Sequence, residues 1–292
     1  MLPSFKKLFK KFSTTQALVD FQMISSSKEI GLITIKNSSK RNALSYNILQ
    51  SLIEKLENIE SEFKSKKIPR VVIISSEGAV FSSGHDLKEL HNFSESQKEK
   101  TFEACSKLMM KIQESPSIII AEVQGLATAA GCQLAATCDL VVASSKAKFE
   151  TPGVRIGLFC SSPSVALART ISHKRAMHML VTGEQISAQK AQDWGLVNEL
   201  VELPDESEEN QRQKLRAASL ELADHINQFS GETLSFGKRI FYSQTGQTSL
   251  QGAYEIAGKA MCTNLCFADT QEGISAFLQK RKPKFNSIDT KH

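Results

Sequence analysis

The chain has 292 residues, 41% hydrophobic and 23% charged, with a formal net charge of +5. That balance supports a substantial core and excludes wholesale disorder, and the modest charge gives no general case for nucleic-acid binding. No apolar run is long enough to span a bilayer.

Residues 1–17 hold Lys6, Lys7, Lys10 and Lys11 among Phe and Leu, have no acid, and then turn hydroxyl-rich. This is the composition of a mitochondrial transit peptide, with lysine in place of the usual arginine. A basic tail or a membrane-surface helix are the alternatives. The segment is left out of the fold, and the expected location is the mitochondrial matrix.

The next elements alternate. "LVDFQMI" (18–24) and "IGLITIK" (30–36) read as a hairpin, and Leu49, Leu52, Ile53, Leu56, Ile59 and Phe63 mark an amphipathic helix from Ser45. "RVVIISS" (70–76) and "IIIAEVQ" (118–124) are β-branched runs expected of buried strands, separated by a helix over about 94–114. A short helix from about 131 leads into the strand "DLVVAS" (139–144). The alternation predicts an α/β core over 18–203. From 204 to 285 the pattern becomes charged and helical, in segments near 206–228, 231–244, 248–262 and 269–279, followed by a tail at 286–292. The apolar faces there, with Phe229, Phe236, Phe241, Phe267 and Phe277, either cover the core or join subunits.

Six cysteines stand at 105, 132, 138, 160, 262 and 266, with no CxxC pair and no zinc-finger spacing. Free thiols fit a reducing compartment, and Cys262 and Cys266 are expected to be small hydrophobes on one helical face. His85 with His91, and His173 with His178, lack the spacing that puts two imidazoles on one helical face, so no metal site is expected.

Two strand-to-helix junctions carry the chemistry. After 70–76 come Ser82-Ser83-Gly84 and Asp86, a plausible helix start; after 118–124 come Ala129-Ala130-Gly131. Each presents free N–H groups at a helix N-terminus, and two such donors on one carbonyl oxygen would make an oxyanion hole. Neither turn matches a dinucleotide fingerprint or a P-loop.

Taken in order, "FSSGHDLKEL", "VQGLATAAGCQLAATCDLVVAS", "FETPGVRIGL", "TGEQISAQKAQDWGLVNELV" and "FLQKRKPKF" resemble the enoyl-CoA hydratase/isomerase (crotonase) superfamily over Leu18 to Phe285. The resemblance implies an α/β fold, a ββα spiral with C-terminal helices that trimerise, the trimers often pairing into hexamers. It also implies an acyl-CoA thioester as substrate or ligand, with no separate cofactor. The oxyanion amides fall on His85 and Ala130. CoA would lie along Arg41, Ala43, Ser83, Gly84, Asp86, Leu87, Lys88 and Gly131, with Phe277 and Lys280 from the C-terminal helix as further contacts.

The sequence departs from the family at both acid–base positions. Gln133 replaces one hydratase glutamate, Gly153 the other, and Ser161 the aspartate of some dienoyl isomerases. An amide and a glycine cannot exchange the proton, and each such group is typically worth ~10²–10⁴-fold. Glu150 or the His85 ring could substitute; Glu150 could equally be a solvated strand-edge acid, and the His85 ring could face the CoA channel or solvent. Cys160 is a weaker candidate nucleophile without a partner histidine, and Asp139 reads as a structural acid. Three functions follow: an acyl-CoA enzyme using carbonyl polarisation, as in hydrolysis or decarboxylation; a non-catalytic acyl-CoA-binding or regulatory protein of mitochondrial lipid metabolism; or residual hydratase activity.

Overall fold

The computed structural model describes residues 17–24, 30–62, 69–203 and 207–285. The predicted transit peptide, apart from residue 17, and the tail lie outside them, as does Phe63 of the apolar stripe.

The opening hairpin is β1 (Val19–Met23) paired antiparallel with β2 (Ile30–Ile35). Helix α1 (Tyr46–Glu62) then crosses to β3 (Val71–Ser76), which pairs parallel with β2. From here each turn of chain repeats one plan: a long strand, a short strand, then helix. The first gives β3, β4 (Val80–Ser82), α2 (Leu87–Asn92) and α3 (Glu95–Glu114). The second gives β5 (Ile118–Val123), β6 (Leu126–Thr128) and α4 (Ala130–Thr137). The third gives β7 (Leu140–Ser144), β8 (Lys148–Glu150) and α5 (Ser161–Thr170). Helix α6 (His173–Thr182), β9 (Ile186–Ser187), α7 (Ala188–Trp194) and β10 (Glu199–Val201) close the core.

The long strands make one sheet in the order β1-β2-β3-β5-β7-β10, and the short ones a second, β4-β6-β8-β9. This is the expected ββα spiral. The second sheet was not anticipated, because strands of two or three residues carry too few side chains to show a period.

Alternation along the long strands explains the layering. Ile33, Ile35, Val72 and Ile74 face α1, α3 and α4 in the main core. Ile30, Leu32, Val71 and Ile73 face the other way, onto Leu215 and Ala223 of α8 (Glu208–Ile226). Both faces of β3 are therefore covered, as its unbroken β-branched run requires.

Three more helices follow, α9 (Gly231–Thr245), α10 (Leu250–Leu265) and α11 (Ala268–Leu278), all near the predicted positions. Buried polar links tie this region to the core. Arg216 holds Glu122 of β5 through Nε and Nη2, at 2.7 and 2.8 Å. The Lys238 ammonium, 3% exposed, donates to Asp139 at 2.6 Å and to the carbonyls of Ile112 and Ser117 at 2.8 Å each. Tyr242 Oη donates to the other Asp139 oxygen at 2.8 Å. Asp139 is thus structural, as expected, but its cation comes from α9, which nothing local predicts.

One expectation fails. Cys262 on α10 and Cys266 at its C-terminal cap are exposed, not packed as small hydrophobes, on a part of the helix that no described residue covers. Leu250, Tyr254 and Met261 share that exposure, as do Phe241 on α9 and Phe277 on α11, whereas Phe267 is buried against Phe236.

Candidate active site

The two small-residue turns meet. A Cβ placed on Gly84 would lie 3.2 Å from the Ala130 nitrogen, 3.0 Å from the Thr128 carbonyl oxygen and 2.9 Å from the Ala129 Cβ. Gly84 has φ +78°, open to glycine at little cost, and its missing side chain lets the turns touch. Gly131 makes the reciprocal approach, its own Cβ position falling 2.5 Å from the Ser82 carbonyl oxygen.

Ala129 carries the strain. It sits at φ 50°, ψ −118°, an unusual region for a residue with a Cβ, at a cost on the order of 1–3 kcal/mol. Its N–H donates to the Glu150 carbonyl at 2.9 Å, and its carbonyl accepts from Gln133 N–H at 3.0 Å. Pinned on both sides, it starts α4 at Ala130 and frees the N–H groups of the first helical turn. Among the described residues, no acceptor takes the backbone N–H of Ala130 or of His85.

The neighbouring candidate stretch is laced to the first turn. Ser83 N–H donates to the Arg41 carbonyl at 3.0 Å, and Leu44 N–H to the Gly84 carbonyl at 2.7 Å. Asp86 caps α2 through the N–H groups of Lys88 and Glu89, and pairs with Lys40 at 3.1 Å. Ala43 is buried behind this seam, while Leu87 is exposed on α2. Asn42 organises the seam and is missing from the sequence-based set. Buried at φ 52°, it donates to the Glu77 and Val80 carbonyls, both at 2.7 Å, and accepts from Asn37 N–H at 3.0 Å. Its only sequence signal is that Asn tolerates positive φ.

Both candidate substitutes have partners. The His85 ring is turned inward, Nδ1 bonding the Leu44 carbonyl at 3.2 Å and its plane meeting Phe102 edge-on at 5.2 Å. A carbonyl can only accept, so Nδ1 carries the proton. Burial pushes the ring's pKa below the usual histidine value, against the opposing effect of that hydrogen bond. Glu150 corrects the strand-edge reading. It lies on β8, an interior strand of the second sheet, and is buried, with Gln185 Nε2 at 3.4 Å and Arg155 Nη1 at 3.8 Å. The hydroxyls of Thr128 and Thr151, which flank the β6–β8 pairing, are buried without a partner among the described residues.

Gly153 is held by packing. A Cβ there would meet the Leu158 carbonyl oxygen at 2.3 Å and Cys160 Sγ at 2.8 Å, because the chain folds back over it from Gly157. The Cys160 thiol is buried, which raises its pKa, so it stays protonated. Gln133 is 4% exposed and one turn into α4; its Oε1 accepts from the Cys105 thiol at 3.8 Å. Phe277, 82% exposed, lies on α11 and Lys280 just beyond it, on a helix that packs against α9 and α10. Within one chain the structure does not bring them to the two turns.

Comparison with known proteins agrees with this architecture. The enoyl-CoA hydratase/isomerase family profile matches residues 25–288. A mouse protein, enoyl-CoA hydratase domain-containing protein 3, mitochondrial, is 48% identical over 252 residues, covering 86% of this chain and 79% of the relative. The crystal structure of the human protein of that name superposes with a TM-score of 0.80 at 45% identity, over 92% of this chain and all of the other. An enoyl-CoA hydratase from Mycobacterium smegmatis superposes with a TM-score of 0.84 at 36% identity, covering 92% and 99% of the two chains.

Proposed function

The chain belongs to the enoyl-CoA hydratase/isomerase family, and from that premise we propose that it binds acyl-CoA thioesters and polarises their carbonyl without hydrating them. The contact between Gly84 and the Ala130 amide carries this reading. In this reading the backbone N–H groups of His85, next to Gly84, and of Ala130 are the two donors to the thioester oxygen at the start of α4, where the helix dipole adds to them. Donors fixed in advance cost no reorganisation as charge develops on a thioester oxygen, which is the basis of oxyanion stabilisation.

Water activation is a separate requirement. Gln133 cannot accept a proton from water, residue 153 has no side chain, Glu150 is turned to Gln185 and Arg155, and the His85 ring, turned inward to the Leu44 carbonyl and Phe102, keeps Nε2 as its one basic nitrogen. These engagements favour a second reading, a purely binding or regulatory role in lipid metabolism. CoA would run along the Arg41–Leu44 seam and past Lys88. The mitochondrial names of the relatives and the basic start support a matrix location, and the exposed apolar side chains of α9 to α11 support a homotrimer or hexamer.

The test is parallel titration and turnover with butyryl-CoA and crotonyl-CoA. Saturable binding with no hydration of crotonyl-CoA is expected. Efficient hydration would refute the reading, as would the failure of both thioesters to bind.

A further inference from the structure

We infer that Gln133 is a specificity residue which presents its amide N–H₂ to the acyl chain and selects 3-oxoacyl thioesters. This rests on the acyl-CoA reading above and adds to it a substrate class.

The orientation of the amide comes from Cys105. That thiol, on α3, is completely buried, and burial pushes its pKa up to about 12, so it keeps its proton. A buried S–H is a weak donor, and the acceptor it meets among the described residues is Gln133 Oε1, at 3.8 Å. With the oxygen turned to α3, Nε2 faces the other way. Among the described residues nothing accepts from it, and it is not among the fully enclosed unpartnered polar atoms.

Position completes the argument. Gln133 is three residues after Ala130 in the same helix, so their side-chain positions are neighbours on one face, ~5–6 Å apart. A thioester whose oxygen lies on the Ala130 N–H would place its third carbon beside that face. An acceptor oxygen there completes the Gln133 amide, whereas a saturated chain leaves the N–H₂ desolvated and unpaired. A 3-oxo group is acceptor-only and coplanar with the thioester in its enolate. That enolate forms by loss of the C2 proton to the buffer, and its charge is shared between the two main-chain donors at one oxygen and Nε2 at the other.

Acetoacetyl-CoA and butyryl-CoA, equal in chain length, are the probes, titrated calorimetrically against the full chain. The wild type is expected to bind acetoacetyl-CoA about tenfold more tightly, the upper range for one neutral hydrogen bond. Gln133→Leu should lose that preference, with butyryl-CoA bound at least as tightly as by the wild type because no N–H₂ is left unpaired, and a cooperative melt of the variant shows that it folds. Cys105→Ala leaves Gln133 in place but frees its oxygen to turn outward, so the preference should fall there too. The enolate absorbance of bound acetoacetyl-CoA should weaken in parallel in both variants. Equal affinities in the wild type, or a preference that survives Gln133→Leu, would overturn the assignment to Gln133 alone. Failure of both thioesters to bind the wild type would overturn the acyl-CoA reading beneath it.

Discussion

Gly84 and Ala130, 46 positions apart in sequence, approach so closely that a single added methyl on Gly84 would come within 3.2 Å of the Ala130 nitrogen. The candidate oxyanion hole depends on that approach. Gly84→Ala should therefore fail twice, through its positive φ and through collision with the second turn. Gly157 is the control, with φ +75° and no atom within 4 Å of its Cβ position. Denaturant melts should show a loss of about 1–2 kcal/mol for Gly157→Ala, from backbone conformation alone, and more for Gly84→Ala. Butyryl-CoA affinity should drop at least tenfold only in Gly84→Ala. Equal affinities in the two variants would show that the approach of the turns does not matter to binding.

Restoring the family's two glutamates should not restore hydration. Gln133→Glu is sterically mild, but Gly153→Glu drives its Cβ to 2.3 Å from the Leu158 carbonyl oxygen, so the 157–160 segment must move. Overpacking of this kind costs about 1–3 kcal/mol. The double variant is expected to melt lower and to leave crotonyl-CoA unhydrated by absorbance assay. A large gain in hydration would mean that the segment yields easily.

The half-buried His85 ring gives stability a dependence on pH below neutrality. Its folded pKa is lower than the unfolded value of 6.5, so the unfolded chain takes up the proton first. The contribution is complete above pH 6.5 and is lost as pH falls from there through the folded value, with a slope of up to about 1.4 kcal/mol per pH unit. His85→Phe keeps an aromatic ring against Phe102 and removes the titration. Urea melts from pH 4.5 to 7.5 should show a shallower acid slope in the variant; parallel slopes would assign the acid sensitivity elsewhere.

The ammonium of Lys238 has three acceptors around it, and Asp139 receives from Lys238, Tyr242 and the Ile119 N–H. Lys238→Met leaves the Asp139 charge without its cation, at an expected cost of about 3–5 kcal/mol. Lys238→Met with Asp139→Asn should recover part of that loss, because the uncompensated charge is gone. A cycle built from melts of the two single variants and the double would measure the coupling, and additive losses would show that the pair is not coupled.

Much of the fold was legible in the chain. The β-branched run at 70–76, the apolar stripe from Leu49 and the change to charged helices after 204 report local periodicity, and periodicity follows from covalent geometry. So do the small residues at 82–84 and 129–131, which mark where backbone can approach backbone. The absence of an acid at 133 and 153 is equally a fact of sequence, and with it the lack of the hydratase pair.

The tertiary structure decided what those residues face. Glu150 stood between a substitute for the missing glutamates and a solvated strand-edge acid until β6 and β9 enclosed its strand. His85 had two open orientations until Leu44 and Phe102 closed around the ring. The side-chain partners of Asp139 come from α9, about a hundred residues away, and the thiol that orients Gln133 comes from α3. Side-chain chemistry is set by the residue type, but the direction in which a hydrogen bond points, and whether a charge is solvated or paired, depend on atoms supplied by distant segments. No local pattern encodes those atoms, so only the folded chain decides between an acid that works and one that is held.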